Sequence, residues 1–134
     1  MNELSPIIGR WKTSGKTIDE KDIKGTDIYE WMDGFKFIIH TVDILIGDER
    51  LKSMEIIGQG EHENEFTSYS FDNNGSVNIA VMHIKNNRIT IVSERERFKG
   101  EIRAKGNIIE GKWEHSNDTD WKFLMDIRLY KQVR

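Results

Sequence analysis

The sequence predicts an all-β fold, a single antiparallel up-and-down barrel of ten strands, and two observations lead to this prediction. The first is residue usage, because isoleucine occurs 19 times, leucine five times and alanine twice. β-branched side chains suit the pleated surface of a strand, whereas leucine and alanine favour helices. The second is a turn signal every ten to fifteen residues or so, which is typical of antiparallel sandwiches and barrels.

The turn signals consist of Gly, Asn and Asp, the residues that tolerate the left-handed backbone of tight turns. They occur at Asp33-Gly34, Gly47-Asp48, Asn73-Asn74-Gly75, Asn86-Asn87 and Gly106-Asn107. Between them we expect strands near 8–18, 25–32, 35–46, 50–59, 65–71, 77–84, 88–94, 98–105, 108–115 and 121–131. Ten strands in 134 residues leave no room for crossover helices, which favours antiparallel pairing, and one domain, 1–134, is expected. Closure into a barrel then removes exposed sheet edges.

Composition excludes several classes of function. The net charge is −3 without a basic stripe, which argues against a nucleic-acid partner, and the absence of cysteine excludes disulfides and thiolate metal sites. No apolar run approaches the ~18–20 residues of a membrane helix, and no signal peptide is recognised, so we expect a cytoplasmic protein. No nucleophile elbow, phosphate loop or metal-ligand spacing is present, which favours a non-enzyme without a cofactor or metal. An enzyme that acts on a small ligand, with His40 tuned as a general base by Asp27 or Glu55, stays an alternative.

Hairpin register predicts which side chains face the barrel interior. The first turn signal places Asp27 opposite His40, and the second places His40 opposite Glu55. The face that carries this row also carries a set of apolar and aromatic residues, which we predict to be the interior: Tyr29, Trp31, Ile38, Val42, Ile44, Leu51 and Ile57.

A histidine between two carboxylates satisfies its own hydrogen bonds, because a protonated imidazole donates from both ring nitrogens. Three interpretations of Asp27, His40 and Glu55 stay open. The row is the polar anchor of a ligand pocket, or a buried ion-pair ladder that fixes strand register, or a solvated row on a reversed outer face.

The later strands supply further candidates. The third turn signal places Tyr69 opposite Ile79 and Glu65 opposite His83, and we expect the apolar residues of this hairpin to form core with His83 on the same face. Trp113 is a candidate pocket wall. In the last strand, alternation predicts that Arg128 faces outward and that one apolar set faces inward: Trp121, Phe123, Met125, Ile127 and Leu129.

Two short segments and a central block resemble a known superfamily. Leu4-Ser5-Pro6-Ile7-Ile8-Gly9-Arg10-Trp11 resembles the opening of the calycins, which include lipocalins and fatty-acid-binding proteins, and Arg128-Leu129-Tyr130-Lys131 resembles their last strand. Asp27–His40, Glu55–Gly58 and Tyr69–Gly75 are similar to a bacterial lipocalin-like family of unknown function. The resemblance implies a barrel with an internal cavity and no assigned reaction. For Arg128 the resemblance implies one of two roles, either packing across Trp11 or binding a ligand carboxylate.

These observations favour a binder or carrier of a small, mainly apolar ligand with a polar end. The candidate ligand-binding residues are Asp27, Tyr29, Trp31, Ile38, His40, Glu55, Tyr69, His83, Trp113 and Arg128. One alternative is a haem-binding barrel of the nitrobindin type, with His40 or His83 as the iron ligand. Another is a filled barrel that acts through a protein partner or as a homodimer, for which the polar composition predicts no large exposed apolar patch.

Overall fold

The chain forms a closed barrel of ten antiparallel strands, as the sequence predicts. The computed structural model describes residues 1–133. A 3₁₀ helix, Asn2–Ile7, precedes the barrel, and a short 3₁₀ turn, Ala104–Gly106, joins the eighth and ninth strands. The strands are β1 Gly9–Thr17, β2 Asp22–Trp31, β3 Phe37–Ile46, β4 Glu49–Gln59, β5 Glu65–Asp72, β6 Val77–Lys85, β7 Arg88–Val92, β8 Glu96–Arg103, β9 Ile108–Ser116 and β10 Trp121–Lys131. Each strand pairs with the next, and β10 pairs with β1 to close the sheet.

The turn residues act as their chemistry predicts in most hairpins. Asn86 and Asn87 both have positive φ, at 53° and 64°, which matches a two-residue turn between β6 and β7. Gly75, with φ of 85°, ends a three-residue loop that sets β5 against β6 in the predicted register. Gly47, with φ of 61°, begins the two-residue turn between β3 and β4.

The β2–β3 hairpin differs from its predicted register. Phe35 adopts a left-handed backbone, with φ of 57°, and the Met32 N–H donates to the Phe37 carbonyl at 2.8 Å, so the loop contains four residues instead of two. His40 consequently lies opposite Tyr29, and Asp27 lies opposite Val42. The displacement is two residues, so every side chain keeps its predicted face.

One end of the barrel is closed by the N-terminal helix. Leu4 and Trp11 are fully buried there, and the Trp11 indole N–H donates to the Ile7 carbonyl at 2.9 Å. The Lys131 ammonium lies 4.9 Å from the centroid of the Trp11 ring. Lys131, rather than Arg128, therefore covers Trp11, because the alternation of β10 turns Arg128 to the outer wall.

The β5–β6 hairpin has the predicted register but the opposite face. Phe66 and Met82 are buried inside the barrel, whereas Tyr69 is 46% and Ile79 is 59% exposed. The reason is the pairing with β4, where Tyr69 lies opposite Ile56 while the inward Ile57 lies opposite Ser68. The prediction of a core made from the Tyr69 face was therefore wrong.

This reversal leaves an outer apolar face on β4, β5 and β6, which also contradicts the expectation of no large exposed apolar patch. The face is continuous across the register, because Met54 lies opposite Phe71 and Phe71 opposite Val77. The next row of the same face joins Ile56, Tyr69 and Ile79. We call these six residues the outer apolar face.

A β-bulge changes the direction of side chains in β10. Phe123 pairs with Glu114 and Met125 pairs with Trp113, which leaves Leu124 as the extra residue. Met125, Ile127 and Leu129 face inward as predicted, but the bulge turns Phe123 and Trp121 to the outer wall. Trp121 there lies under the Arg97 guanidinium, 4.4 Å from its ring centroid.

Within residues 1–133, no helix is long and apolar enough to cross a membrane.

Candidate ligand-binding cavity

The barrel contains an internal cavity of about 380 Å³. It extends from Ile7 at the closed end toward the opposite end, where Asp72 and Glu96 line it. Most of the wall is aliphatic, with side chains from β3, β4, β6, β7, β9 and β10: Val42, Ile44, Ile46, Leu51, Met82, Ile84, Ile89, Ile91, Ile109, Met125, Ile127 and Leu129. The lining is therefore mainly apolar, with its polar groups concentrated at a few points.

Asp27, His40 and Glu55 meet inside the barrel near the closed end. His40 Nε2 is 2.7 Å from an Asp27 carboxylate oxygen, and His40 Nδ1 is 2.7 Å from Glu55 Oε1. The Thr13 hydroxyl donates to the second Asp27 oxygen. We call these four residues the floor cluster. Asp27 is 7% and His40 is 9% exposed, so the interpretation of a solvated row on an outer face was wrong.

The carboxylates keep His40 charged. Burial lowers the pKa of His40, but the hydrogen bonds to Asp27 and Glu55, together with their negative charges, outweigh burial and raise the pKa from 6.5 to about 9. At neutral pH the imidazolium therefore donates from both nitrogens. Neither nitrogen has a lone pair free, so His40 has no atom with which to act as a general base.

Tyr29 forms the wall beside this cluster. Its ring stacks on His40 with the centroids 3.8 Å apart and the planes 7° from parallel. Burial raises the pKa of Tyr29 well above its ordinary value of 10, and the negative charges of Asp27 and Glu55 raise it further. Tyr29 therefore stays a neutral phenol whose hydroxyl can donate a hydrogen bond.

Phe98 and Trp113 form an aromatic wall on β8 and β9, with ring centroids 5.3 Å apart. Gly100 and Gly111 lie opposite each other on the same two strands and leave room for the Phe98 ring. A Cβ added at Gly111 would lie 2.6 Å from a Phe98 ring carbon and 2.3 Å from the Lys99 carbonyl oxygen. The paired glycines therefore allow the Phe98 ring to lie close to the backbone of β8 and β9.

Two sequence candidates lie in the core outside the cavity lining. Ile38 is fully buried. Trp31 packs against the same core and lies 5.6 Å from the Phe35 ring, measured between centroids. Neither side chain lines the cavity, because both lie beyond the floor cluster toward the closed end.

Three other sequence candidates lie on the outer wall. Tyr69 belongs to the outer apolar face. The side chain of His83 is 51% exposed, with Nε2 3.5 Å from Glu65 Oε2. Arg128, also 51% exposed, pairs with Glu110 at 2.7 Å. The predicted inward position of Tyr69 and His83 was wrong, because the face of β5 and β6 is reversed. Arg128 faces outward, as the alternation of β10 predicts, and therefore does not reach the cavity.

The histidines do not fit a haem-iron site inside the cavity. Both His40 nitrogens donate to carboxylates, and His83 lies outside the barrel. His62 and His115 are exposed and do not line the cavity. A search of residues 1–133 also finds no group of three or more metal-ligating side chains placed to hold an ion.

Sequence reasoning missed several polar lining residues. Ser53 lies opposite the inward Val42, so its position could be inferred from the predicted β3–β4 register. Ser70 and Asp72 were missed because they lie on the face of β5 that was taken to be the outside. Glu96 was missed because it lies between the predicted strands 88–94 and 98–105, whereas it begins β8.

No protein-family model matches the chain, and no curated protein matches it in sequence. The fold is similar to designed barrels among solved structures. A redesigned β-barrel, mFAP1, bound to DFHBI, has a TM-score of 0.56 and 6% identity over 98% of this chain and 100% of that one. A de novo designed fluorescence-activating β-barrel has a TM-score of 0.56 and 12% identity over 98% and 99%. A second redesigned β-barrel has a TM-score of 0.55 and 8% identity over 97% and 95%. The likeness therefore concerns the closed ten-stranded barrel itself.

Proposed function

We propose that this protein binds or carries a small, mainly apolar ligand inside its barrel. The observation that supports the proposal is the 380 Å³ cavity with aliphatic walls and one polar cluster at its floor. Protein interiors are otherwise close-packed, and ligand pockets of about 300–1,000 Å³ have this combination of apolar walls and few polar groups.

The ligand's apolar body lies, in this proposal, against Ile84, Ile89 and Trp113, with its polar end toward Tyr29 and Glu55. The role is binding rather than catalysis, because both nitrogens of His40 donate to carboxylates. Membership of the calycin superfamily is part of the same proposal, and the buried Trp11 at the closed end supports it. Cytoplasmic localisation stays a prediction from the sequence.

A thermal-shift screen tests the proposal. Neutral, cationic and anionic apolar compounds are added to the purified protein, including fatty acids, aromatic acids, retinoid-like lipids and haem. A ligand at about 100 times its Kd stabilises by about 2.7 kcal/mol, which raises Tm by about 5–15 °C. We expect a reproducible shift for one class.

The matched control is a pair of tryptophan substitutions. Ile89→Trp fills the cavity and abolishes the shift, whereas Ile18→Trp, at a residue 62% exposed outside both the cavity and the outer apolar face, leaves it unchanged. A folded protein that gives no shift with any class contradicts the proposal and favours a filled barrel.

We also propose that the outer apolar face is covered by a second copy of the chain. Monomeric proteins rarely expose contiguous apolar patches of more than a few hundred Å². On this face four neighbouring side chains are each at least half exposed: Met54, Phe71, Val77 and Ile79. They would form the apolar centre of an interface that needs about 800 Å² per subunit.

The charges around the face favour self-association. Lys52 borders it at one end of the strands, and Glu65 borders it at the other end. A twofold axis lying in the interface and perpendicular to the strands brings Lys52 of one copy toward Glu65 of the partner subunit. The apolar rows of the two copies then meet at the centre of the interface.

Sedimentation velocity over a range of protein concentrations tests this arrangement. We expect a species of twice the 15.7 kDa monomer mass that dissociates on dilution. Phe71→Glu places a charge in the centre of the face and yields a monomer, whereas Ile18→Glu, at a residue 62% exposed elsewhere, leaves the dimer intact. A monomer at every concentration, or a dimer unaffected by Phe71→Glu, contradicts the proposal.

A further inference from the structure

The charges that line the cavity are unbalanced. Four carboxylates line it, from Asp27, Glu55, Asp72 and Glu96, against one basic side chain, His40. None of the lysines or arginines among residues 1–133 lines the cavity. Counted at formal charge with His40 protonated, the lining has an excess of three negative charges.

The negative charges form two layers. In the floor cluster, one imidazolium compensates only one of two carboxylates. At the opposite end, Asp72 accepts hydrogen bonds from the Asn74 and Ser76 N–H groups at 2.9 and 3.1 Å, and these bonds supply no positive charge. Among residues 1–133, neither Asp72 nor Glu96 belongs to an ion pair.

The nearby basic groups lie outside this lining. His115 lies opposite Glu96, and Lys122 lies opposite His115, but both are exposed where water and salt screen their charges. Arg97 is directed outward, where its Nε bonds to Glu114 at 2.6 Å. A ligand that enters the cavity therefore meets a negative potential, which the low-dielectric walls strengthen.

Glu55 supplies an acceptor at the inner end. The hydrogen bond to His40 uses Glu55 Oε1, so Oε2 remains available within the described chain. Ser70 lies directly opposite Glu55 on β5 and also lines the cavity, so its hydroxyl oxygen is a second acceptor. The aromatic ring of Trp113 lines another part of the same cavity, and aromatic faces attract cations.

We propose that the cavity selects organic cations, namely amines or quaternary ammonium compounds with an apolar body, and rejects carboxylates. This inference rests on the proposed binding function and specifies its ligand class. A buried carboxylate ligand would add a further unpaired charge beside Asp27 and Glu55, which is strongly unfavourable. An ammonium group instead compensates part of the excess negative charge of the cavity lining. Fatty acids and aromatic acids are therefore excluded as ligands.

Calorimetric titration with three probes of one shape tests the inference. The probes are naphthylmethylammonium, naphthylmethanol and naphthoate, which share the naphthalene body and differ in charge. We expect the ammonium to bind about tenfold or more tightly than the alcohol, a difference of about 1.4 kcal/mol, and the carboxylate to show no binding. Added salt lowers the affinity for the ammonium but not the affinity for the neutral alcohol.

Glu55→Gln identifies the site of the preference. This variant lowers the affinity for the ammonium about tenfold and lowers the affinity for the alcohol far less, because the amide oxygen of glutamine still accepts a hydrogen bond but carries no charge. Glu61→Gln, at an exposed carboxylate outside the cavity, changes neither affinity. If the alcohol binds as tightly as the ammonium, or if naphthoate binds best, the charge inference is overturned while the binding function stands. If no probe binds to the folded protein, the binding function itself fails.

Discussion

His40 keeps a positive charge inside the barrel because two carboxylates share it. Burial of an imidazolium without a partner would cost several kcal/mol, and the two hydrogen bonds of 2.7 Å offset this cost. Each member of the cluster therefore depends on the others. Removal of His40 leaves two buried carboxylates without a counter-charge, which is more destabilising than loss of the whole cluster.

The pKa of His40 predicts how stability depends on pH. The folded pKa is about 9 and the unfolded value is 6.5, so the folded state holds a proton that the unfolded state releases between these values. The stabilisation is complete below pH 6.5 and is lost as pH rises through 9. This shift corresponds to about 3 kcal/mol, which urea unfolding at a series of pH values measures.

His40→Gln removes this pH dependence, because glutamine does not titrate. The matched control, His83→Gln, changes a half-exposed histidine on the outer wall and retains the dependence. A wild-type stability that stays flat between pH 6.5 and 9 contradicts the assigned charge state of His40.

At the scale of elements, local turn chemistry was sufficient to predict a hairpin where the residue type decides the backbone conformation of the turn. Asn86, Asn87 and Gly75 adopt positive φ as their residue types predict, and the hairpins they close have the predicted register. The β2–β3 loop was not predictable in this way. Its left-handed residue is Phe35, a type that rarely adopts that conformation, so no sequence signal marks the longer loop.

The face of β5 and β6 could not be inferred from alternation. Both faces of this hairpin carry apolar side chains, such as Met82 inside and Ile79 outside, so the hydrophobic pattern is ambiguous. Pairing with β4 decides between them, and that pairing is a property of the assembled sheet. The bulge at Leu124 is similar, since an extra residue in one strand leaves no mark on composition.

The floor cluster, by contrast, was predictable despite an error in register. A displacement of two residues changes which residues lie opposite each other but preserves the face. His40 therefore still reaches Asp27 diagonally and Glu55 directly. The excess of negative charge could not be foreseen, because it needs Asp72 on the inner face of β5 and Glu96 within β8.

At the scale of the whole molecule, the barrel interior has two parts, an end covered by the N-terminal helix and a cavity. Leu4, Trp11 and Phe66 are fully buried at the closed end, whereas the cavity occupies the interior from Ile7 toward the other end. The first and last strands form the seam, in which Trp11 lies opposite Lys131 and Thr17 opposite Met125. No strand of the barrel is therefore an edge strand, and every strand has two hydrogen-bonded neighbours.

The hydrogen-bonded seam between β1 and β10 predicts how the barrel unfolds. Because β1 and β10 are flanked on both sides, their central amides should exchange with solvent only through global unfolding, like those of β4. Native-state hydrogen exchange should then give the amides of these strands equal free energies of opening, with equal dependence on denaturant concentration. Gly15→Ala should abolish the equality, because its Cβ would lie 2.1 Å from the Asp126 carbonyl oxygen and force the seam apart. Faster exchange of β1 and β10 than of β4 in the unmodified protein would show that the seam opens by itself, and would refute closure as the source of the barrel's cooperativity.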